Sequence, residues 1–269
     1  MNTPFISPGW HTAIARLVQS GGEEVAAALI NAVSAVVNHQ GTCLIAFHRH
    51  APPDILHHTL EPAGAKHYLD RYLAGPYLLD PLYQLALSER KPGICRYRDQ
   101  TPDRFRSSEY YRRYSERTHL VDEMDFLLDV GGESTLVLVV GRREKRFSKA
   151  EISRLGDIEP IVHAAMAKIW EYRAPHDAVG QQNRDMHNRL TEVFANFGTS
   201  VLTDREREIT QLLLRGYSTK AIARQLKIAP GTVMVHKRNL FTKLGITSQY
   251  QLFSQFIDAL STRRVHSPD

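Results

Sequence analysis

Arg238 follows Met234 by four residues and Val235 by three, a spacing that would put one guanidinium and two apolar side chains on the same side of a helix. A guanidinium can bond guanine O6 and N7 together, which discriminates that base by about 1–3 kcal/mol, and methionine or valine can touch a thymine methyl. Thr219, Lys220, Thr232 and Lys243 lie close by in the sequence and could bond phosphates, which holds register without reading bases. A second cluster stands far upstream. Tyr68, Tyr72, Tyr77 and Asp80 fall in Tyr68–Tyr83, a stretch with four tyrosines. Aromatic faces with polar tips and one carboxylate suit a pocket that buries a small molecule and orients it with a few hydrogen bonds. If ionised, Asp80 would favour an amide N–H or an ammonium group. Asp80 before Pro81 is equally a helix-start signal, with aspartate as N-cap and proline at the first helical position.

His48, His50, His57 and His58 raise a metal site, since His-x-His on a strand puts both rings on one face. No carboxylate or cysteine falls at matching spacing, and adjacent His57 and His58 would face opposite ways, so neither metal nor other cofactor is expected. The sequence has no Gly-rich phosphate loop, no Gly-x-Ser-x-Gly and no acidic phosphoacceptor pattern after an early strand. Neither an enzyme nor a switch driven by aspartyl phosphorylation is expected.

The elements that must position the first cluster have clear start and stop signals. Thr203 and Glu206 have capping-box spacing, and Ile209, Leu212 and Leu213 form an apolar face closed by Gly216. Ser218 can cap a second helix, Thr219 to Leu226, with Ile222, Ala223 and Leu226 inward. After Lys227–Ala229, Pro230 opens a third helix running to Leu244. Two short helices joined by a tight turn make a helix-turn-helix. On the third helix Val233, His236, Leu240 and Leu244 face inward, while Thr232, Met234, Val235, Arg238 and Thr242 face out. Small or flexible groups on that side would let the helix lie deep in a major groove. A final helix after Ser248 carries the stripe Leu252, Phe253, Phe256, Ile257 and Leu260. That stripe is expected to pair with a second copy through Leu252, Phe253 and Phe256; the other reading packs it on the first helix of its own domain.

Upstream, the pattern alternates helix and strand. A helix is expected over Glu24–Val36 and strands over Thr42–Phe47 and Asp54–Leu60, followed by helical stretches near Lys66–Leu73 and Pro81–Ser88. Strands at Gly93–Tyr97, Met124–Val130 and Thr135–Arg142 come next, the last two forming a hairpin about Gly131-Gly132. One long helix is expected from Ser148, with Glu151 completing a capping box, to about Tyr172. This is an α+β domain with an antiparallel sheet flanked by helices, and the space between sheet and helices is the default ligand site. Arg173–Gln182 reads as a linker, and Arg184–Phe197 as a helix that docks on the sensor or on a dimer mate.

Leu202-Thr203-x-Arg205-Glu206, Gly216-x-Ser218-x-Lys220-x-Ile222-Ala223, Thr232-Val233-x-x-His236-x-x-Asn239 and Lys243-Leu244-Gly245-Ile246 together resemble the LuxR/FixJ-type DNA-binding domain, over roughly residues 200 to 262. Ala229 stands where a small capping residue is usual, a loss of about 1 kcal/mol, and Met234 stands where a basic residue is usual, which shifts base preference. The resemblance implies an all-α four-helix domain, double-stranded DNA as partner, a homodimer formed through the last helix, and two half-sites about one helical turn apart. The order Tyr68, Tyr72, Asp80-Pro81 resembles the ligand-binding domain of LuxR-type quorum-sensing receptors, where an aromatic, a tyrosine and an aspartate contact the acyl-homoserine lactone. Tyr68 stands where a tryptophan is usual. The implied effector is an acyl-homoserine lactone or another small metabolite; in the alternative reading the N-terminal domain binds a protein partner and no metabolite. The expected domains are 1–175 for sensing, 176–199 for linker and connecting helix, and 200–265 for DNA binding.

Composition fits this division. The 269 residues carry 34 Lys and Arg against 29 Asp and Glu, a net +5. From Thr199 onward 11 basic residues face 5 acidic ones, and none of the acidic ones lies between Ser218 and Ile257. That concentrates a positive field suited to a polyanion. No apolar run approaches the roughly 18 residues a membrane span needs. With only Cys43 and Cys95, and no secretory pattern at the N-terminus, a reducing cytoplasm is expected.

Overall fold

The run Thr42–Phe47 shows no polar alternation because the strand it forms, β1 (Gly41–His48), is buried along its whole length. In the computed structural model, which describes residues 8–60, 62–89, 91–173 and 180–262, β1 lies inside a five-stranded antiparallel sheet. The other strands are β2 (Asp54–His58), β3 (Ile94–Arg96), β4 (Asp122–Asp129) and β5 (Ser134–Arg142), in the order β2-β1-β5-β4-β3. Pairing runs from Gly41 opposite Gly141 to His48 opposite Ser134, and the expected β4–β5 hairpin closes with Asp129 opposite Thr135. Its turn places Gly131, Gly132 and Glu133 in succession at positive φ, the first two being residues that adopt it without a side-chain clash.

The helices flanking this sheet include α1 (Pro8–Gln19), which is additional to the expected elements, and α2 (Glu24–Ser34). Val25, Leu29 and Val33 of α2 pack on Leu44, Phe126, Leu136 and Leu138 of the sheet. The helix expected from Ser148 to Tyr172 is two helices, α7 (Lys149–Asp157) and α8 (Glu159–Tyr172). Pro160 explains the correction: it has no N–H to give and its ring clashes with the preceding turn, so the chain bends at Ile158 and Pro160 sits in the first turn of α8. Val162 and Met166 then cover the same sheet face.

The capping box at the start of α7 is present and does more than start a helix. Glu151 accepts from Ser148 N (2.8 Å) and from Arg142 Nη2 (2.8 Å), and the buried Arg142 guanidinium lies 4.1 Å over the Phe147 ring. The Arg142 bond, helped by Ser148, holds the Glu151 carboxyl down at about 2, below the ordinary 4.5. A carboxylate with a depressed folded-state pKa stabilises the fold above its unfolded value and loses that contribution as pH falls through the folded one. Unfolding free energy is therefore expected to drop between about pH 5 and pH 2, and Glu151→Gln to flatten that drop in urea titrations. An equally steep profile in the variant would show that the pair does not carry it.

The remaining elements are α3 (Pro62–Leu73), α4 (Pro81–Ala86), α5 (Tyr97–Gln100), α6 (Glu109–Arg113), α9 (Gly180–Asn196), α10 (Asp204–Arg215), α11 (Thr219–Leu226), α12 (Pro230–Lys243) and α13 (Gln249–Thr262). Short 3-10 turns cover Pro76–Leu79, Phe105–Ser107 and Ser115–Thr118. The chain divides into two compact units in a way its linear order does not suggest. One takes the described residues within Met1–Ala65, Leu85–Gln100 and His119–Gln181; the other takes Lys66–Gln84, Thr101–Thr118 and the described part of Gln182–Asp269. The tyrosine-rich stretch and residues 101–118 thus belong with the C-terminal helices.

Candidate nucleic-acid interface and ligand segment

Helix α10 starts with the capping box read from Thr203 and Glu206 and ends at Gly216, whose φ of 93° is the left-handed C-cap that glycine supplies. Ser218 Oγ then accepts from Ala221 N (3.1 Å) to start α11, and Lys227, at φ 54°, turns the chain toward α12. Ile209, Ile222, Val233 and Leu240 are fully buried together in the helical core. Fixing Val233 and Leu240 inward turns the other side of α12 to solvent: Met234 is 63% and Val235 47% exposed, and Thr232 and Arg238 are exposed as well. This outward side, one guanidinium among small and flexible groups, has the chemistry to read base edges. Lys220 is exposed and Thr219 half-buried, both at the start of α11.

Lys243 has a different setting. Its Nζ lies 2.7 Å from Glu206 Oε2, a carboxylate almost wholly buried. Burial pushes the Glu206 carboxyl up, but the Lys243 ammonium and the Thr203 N–H and hydroxyl outweigh it and hold it below the ordinary value. Lys243 therefore stabilises the capping box of α10, and a phosphate would have to compete with Glu206 for it.

The stripe on α13 is also placed differently from the expectation of a dimer contact. Leu252, Phe253 and Phe256 are buried within the chain itself. Phe194 and Phe197, from the α9 region, meet Phe256 edge-on at 5.5 and 5.6 Å, and Arg113 lies 5.2 Å over Phe253. Gln249 Nε2 donates to Leu213 O (2.7 Å), tying α13 to α10. Two neighbours absent from the short-range pattern, α9 and α6, cover the apolar face that the sequence left open, so these three residues offer no free surface to a second copy.

In the upstream cluster the four expected ligand residues share one corner. Tyr68 stacks on Tyr72 with ring centroids 6.5 Å apart, Tyr72 is 6.3 Å from Tyr77, and Tyr83 meets Tyr77 edge-on at 5.2 Å. Tyr72 Oη donates to Asp80 Oδ2 (2.9 Å), while Asp80 Oδ1 accepts from Leu82 N (2.9 Å). Asp80 is thus the N-cap of α4 and the partner of a buried phenol at once. Burial, and then the Asp80 charge, push the Tyr72 phenol well above the ordinary range, so it remains a donor. Tyr77 Oη bonds His187 Nδ1 at 2.8 Å, which joins the tyrosine stretch to α9. His187 was not singled out from the sequence; a lone histidine 110 residues away has no local signal pointing to Tyr77. The early histidines do not converge. His48 bonds Ser134 Oγ (2.8 Å) and Asp54 Oδ2 (2.9 Å), and His50 reaches Glu133 (2.8 Å). Among the described residues no group of three or more His, Cys, Asp or Glu is arranged to hold a metal ion, and no helix is long and apolar enough to cross a membrane.

Residues 200–255 match the family described as bacterial regulatory proteins, luxR family. Over 162 residues the chain is 34% identical to an HTH-type transcriptional regulator in the exeN 3′ region of Aeromonas salmonicida, covering 58% of this chain and 83% of that protein. It is 25% identical over 216 residues to the monoamine regulon transcriptional regulator of Klebsiella aerogenes, covering 80% of this chain and 82% of that one. In fold, 62% of the chain is similar to the whole of the VqsR LBD domain from Pseudomonas aeruginosa, with a TM-score of 0.56 and 24% identity.

Proposed function

The chain belongs to the luxR family of bacterial regulatory proteins and is a transcriptional regulator with a DNA-binding helix-turn-helix, and from that premise we propose that it reads a specific DNA sequence under the control of a small molecule. The observation that carries the first half is the exposed side of α12, where Met234, Val235 and Arg238 stand outward because Val233 and Leu240 fill the core. Arg238 is assigned the bidentate contact to guanine, Met234 and Val235 the apolar contacts, and Thr219, Lys220 and Thr232 the phosphates. Lys243 contributes a phosphate contact only where DNA draws it from Glu206.

The second half is supported by the tyrosine cluster about Asp80. In this reading residues 1–175 sense, 176–199 connect and 200–265 bind DNA, and the effector acts by replacing some of the bonds that Tyr72, Asp80 and Tyr77 now make with one another and with His187. An effector can bias DNA binding only by its differential affinity for the two arrangements, typically about 1–3 kcal/mol. The reading places the protein in the cytoplasm as a homodimer, through a face other than the α13 stripe.

One experiment tests both halves. The full chain is used to select duplexes from a random pool, alone and with each of a panel of acyl-homoserine lactones, small amines and aromatic acids. One enriched motif, recovered more or less strongly with a single class of compound, is the expected result. No enriched motif under any condition would overturn the sequence-specific reading, and enrichment indifferent to every compound would favour control by a protein partner.

A further inference from the structure

Residues 101–118 precede the DNA-binding helices by about a hundred positions, yet they close directly on them within one compact unit. Asp103 Oδ1 accepts the backbone N–H of Ser218, at 2.9 Å, where Ser218 is the N-cap of α11. The next residue, Arg104, donates its backbone N–H to the carbonyl of Gly216 at 3.1 Å. Phe105 and Ser108 then lie so close to Gly216 that a Cβ added there would stand 3.2 Å from Phe105 Cα and 3.1 Å from Ser108 Cβ. A second anchor lies in α6. The Arg113 guanidinium sits over the rings of Tyr250 (5.1 Å) and Phe253 (5.2 Å) and donates to Ser254 Oγ (3.3 Å). The charge of Asp103 is matched by Arg224 on α11; although burial raises the carboxyl, the Ser218 hydroxyl and N–H and the Arg224 field bring it below its ordinary value.

The start of α11 is the end of a helix-turn-helix that faces the DNA backbone, because free N–H groups and the positive end of the helix dipole favour an anion there. Thr219 and Lys220, proposed above for phosphate contact, stand beside the donor that Asp103 now occupies. We propose that residues 101–118 form an internal clasp in which the Asp103 carboxylate stands in for a DNA phosphate at the start of α11, so that clasp and duplex compete for the same end of the helix. The clasp leaves the outward side of α12 open, so it restrains backbone anchoring and leaves base reading intact. The inference rests on the DNA-binding reading and gives it a means of regulation: whatever loosens residues 101–118 strengthens binding to every sequence alike.

The test uses the full chain and a mixed-sequence duplex of about 30 base pairs, since phosphate contacts do not depend on sequence. Affinity is measured by fluorescence anisotropy between about 50 and 200 mM salt. Asp103→Ala is expected to bind about tenfold tighter at the low-salt end, with a log–log salt slope steeper by about 0.9 for each bound protomer, the value of one additional phosphate apiece. Asp103→Asn keeps the acceptor and loses the charge, so it should fall between that variant and wild type. Arg113→Ala removes a positive charge and by charge alone would weaken binding; release of the clasp makes it bind tighter. Wild-type affinity and slope in the Asp103 variants, with thermal unfolding showing them folded, would overturn the clasp. So would tighter binding by Asp103→Ala alone with an unchanged slope and a weakened Arg113→Ala, which is the signature of a local charge effect. If neither wild type nor any variant binds duplex at the lowest salt, the DNA-binding reading itself falls.

Discussion

Phe256→Ala is expected to lower the unfolding free energy by about 3–5 kcal/mol, the cost of removing a large ring from a packed interior that cannot fully collapse around the void. The Phe256 ring is completely buried and meets both Phe194 and Phe197 edge-on. Because those partners belong to the same chain, the loss should be independent of protein concentration, a shift of several degrees in thermal unfolding at every dilution. A residue lying between two copies would behave otherwise, because the stability of a dimer contact follows protomer concentration. An unchanged melting temperature combined with weaker self-association in sedimentation would return the α13 stripe to the dimer interface and reject the packing described here.

Arg238→Ala and Lys220→Ala are expected to fail in different ways. On the motif recovered by selection, loss of a bidentate guanine contact costs about 1–3 kcal/mol for each half-site, roughly five- to 150-fold, and relaxes preference at one base position. On scrambled duplex the same variant should lose little beyond the effect of one charge. Lys220→Ala should weaken both duplexes alike and make the salt slope shallower by about 0.9 for each bound protomer. Lys220 is the better probe of a phosphate contact than Lys243, because replacing Lys243 would also strip the buried Glu206 carboxylate of its ammonium partner and mix stability into the binding measurement. Equal losses on matched and scrambled duplex for Arg238→Ala and Lys220→Ala would reject the division between reading and anchoring.

The helix-turn-helix was legible because its signals are local. A threonine and a glutamate three apart satisfy each other's backbone donors, Gly216 takes a left-handed conformation that glycine adopts without a side-chain clash, and the 3.6-residue period separates Val233 and Leu240 from Met234, Val235 and Arg238. The sheet was legible for similar reasons, from short apolar runs and a glycine pair at the hairpin. Pro160 carried a signal as plain as the others, a proline inside a helical pattern, and it is what divides α7 from α8.

Partners distant in the chain were not legible. An apolar stripe such as Leu252, Phe253 and Phe256 states that it must be covered, since exposed apolar surface is costly, but it does not state by what; α9 and α6 decide that. The same holds for polar groups. Asp80 could be read as a helix cap or as an acceptor for another donor, and the fold makes it both, by bringing Tyr72 to its second oxygen. His187 and Asp103 had no role until Tyr77 and the start of α11 were placed against them. By itself the sequence determined the five strands, the helix-turn-helix with the inward and outward sides of α12, and the family resemblance, all of which follow from chemistry within a few residues. The tertiary structure alone decided which surfaces remain free and which charges are already paired, because both depend on what the chain folds back upon.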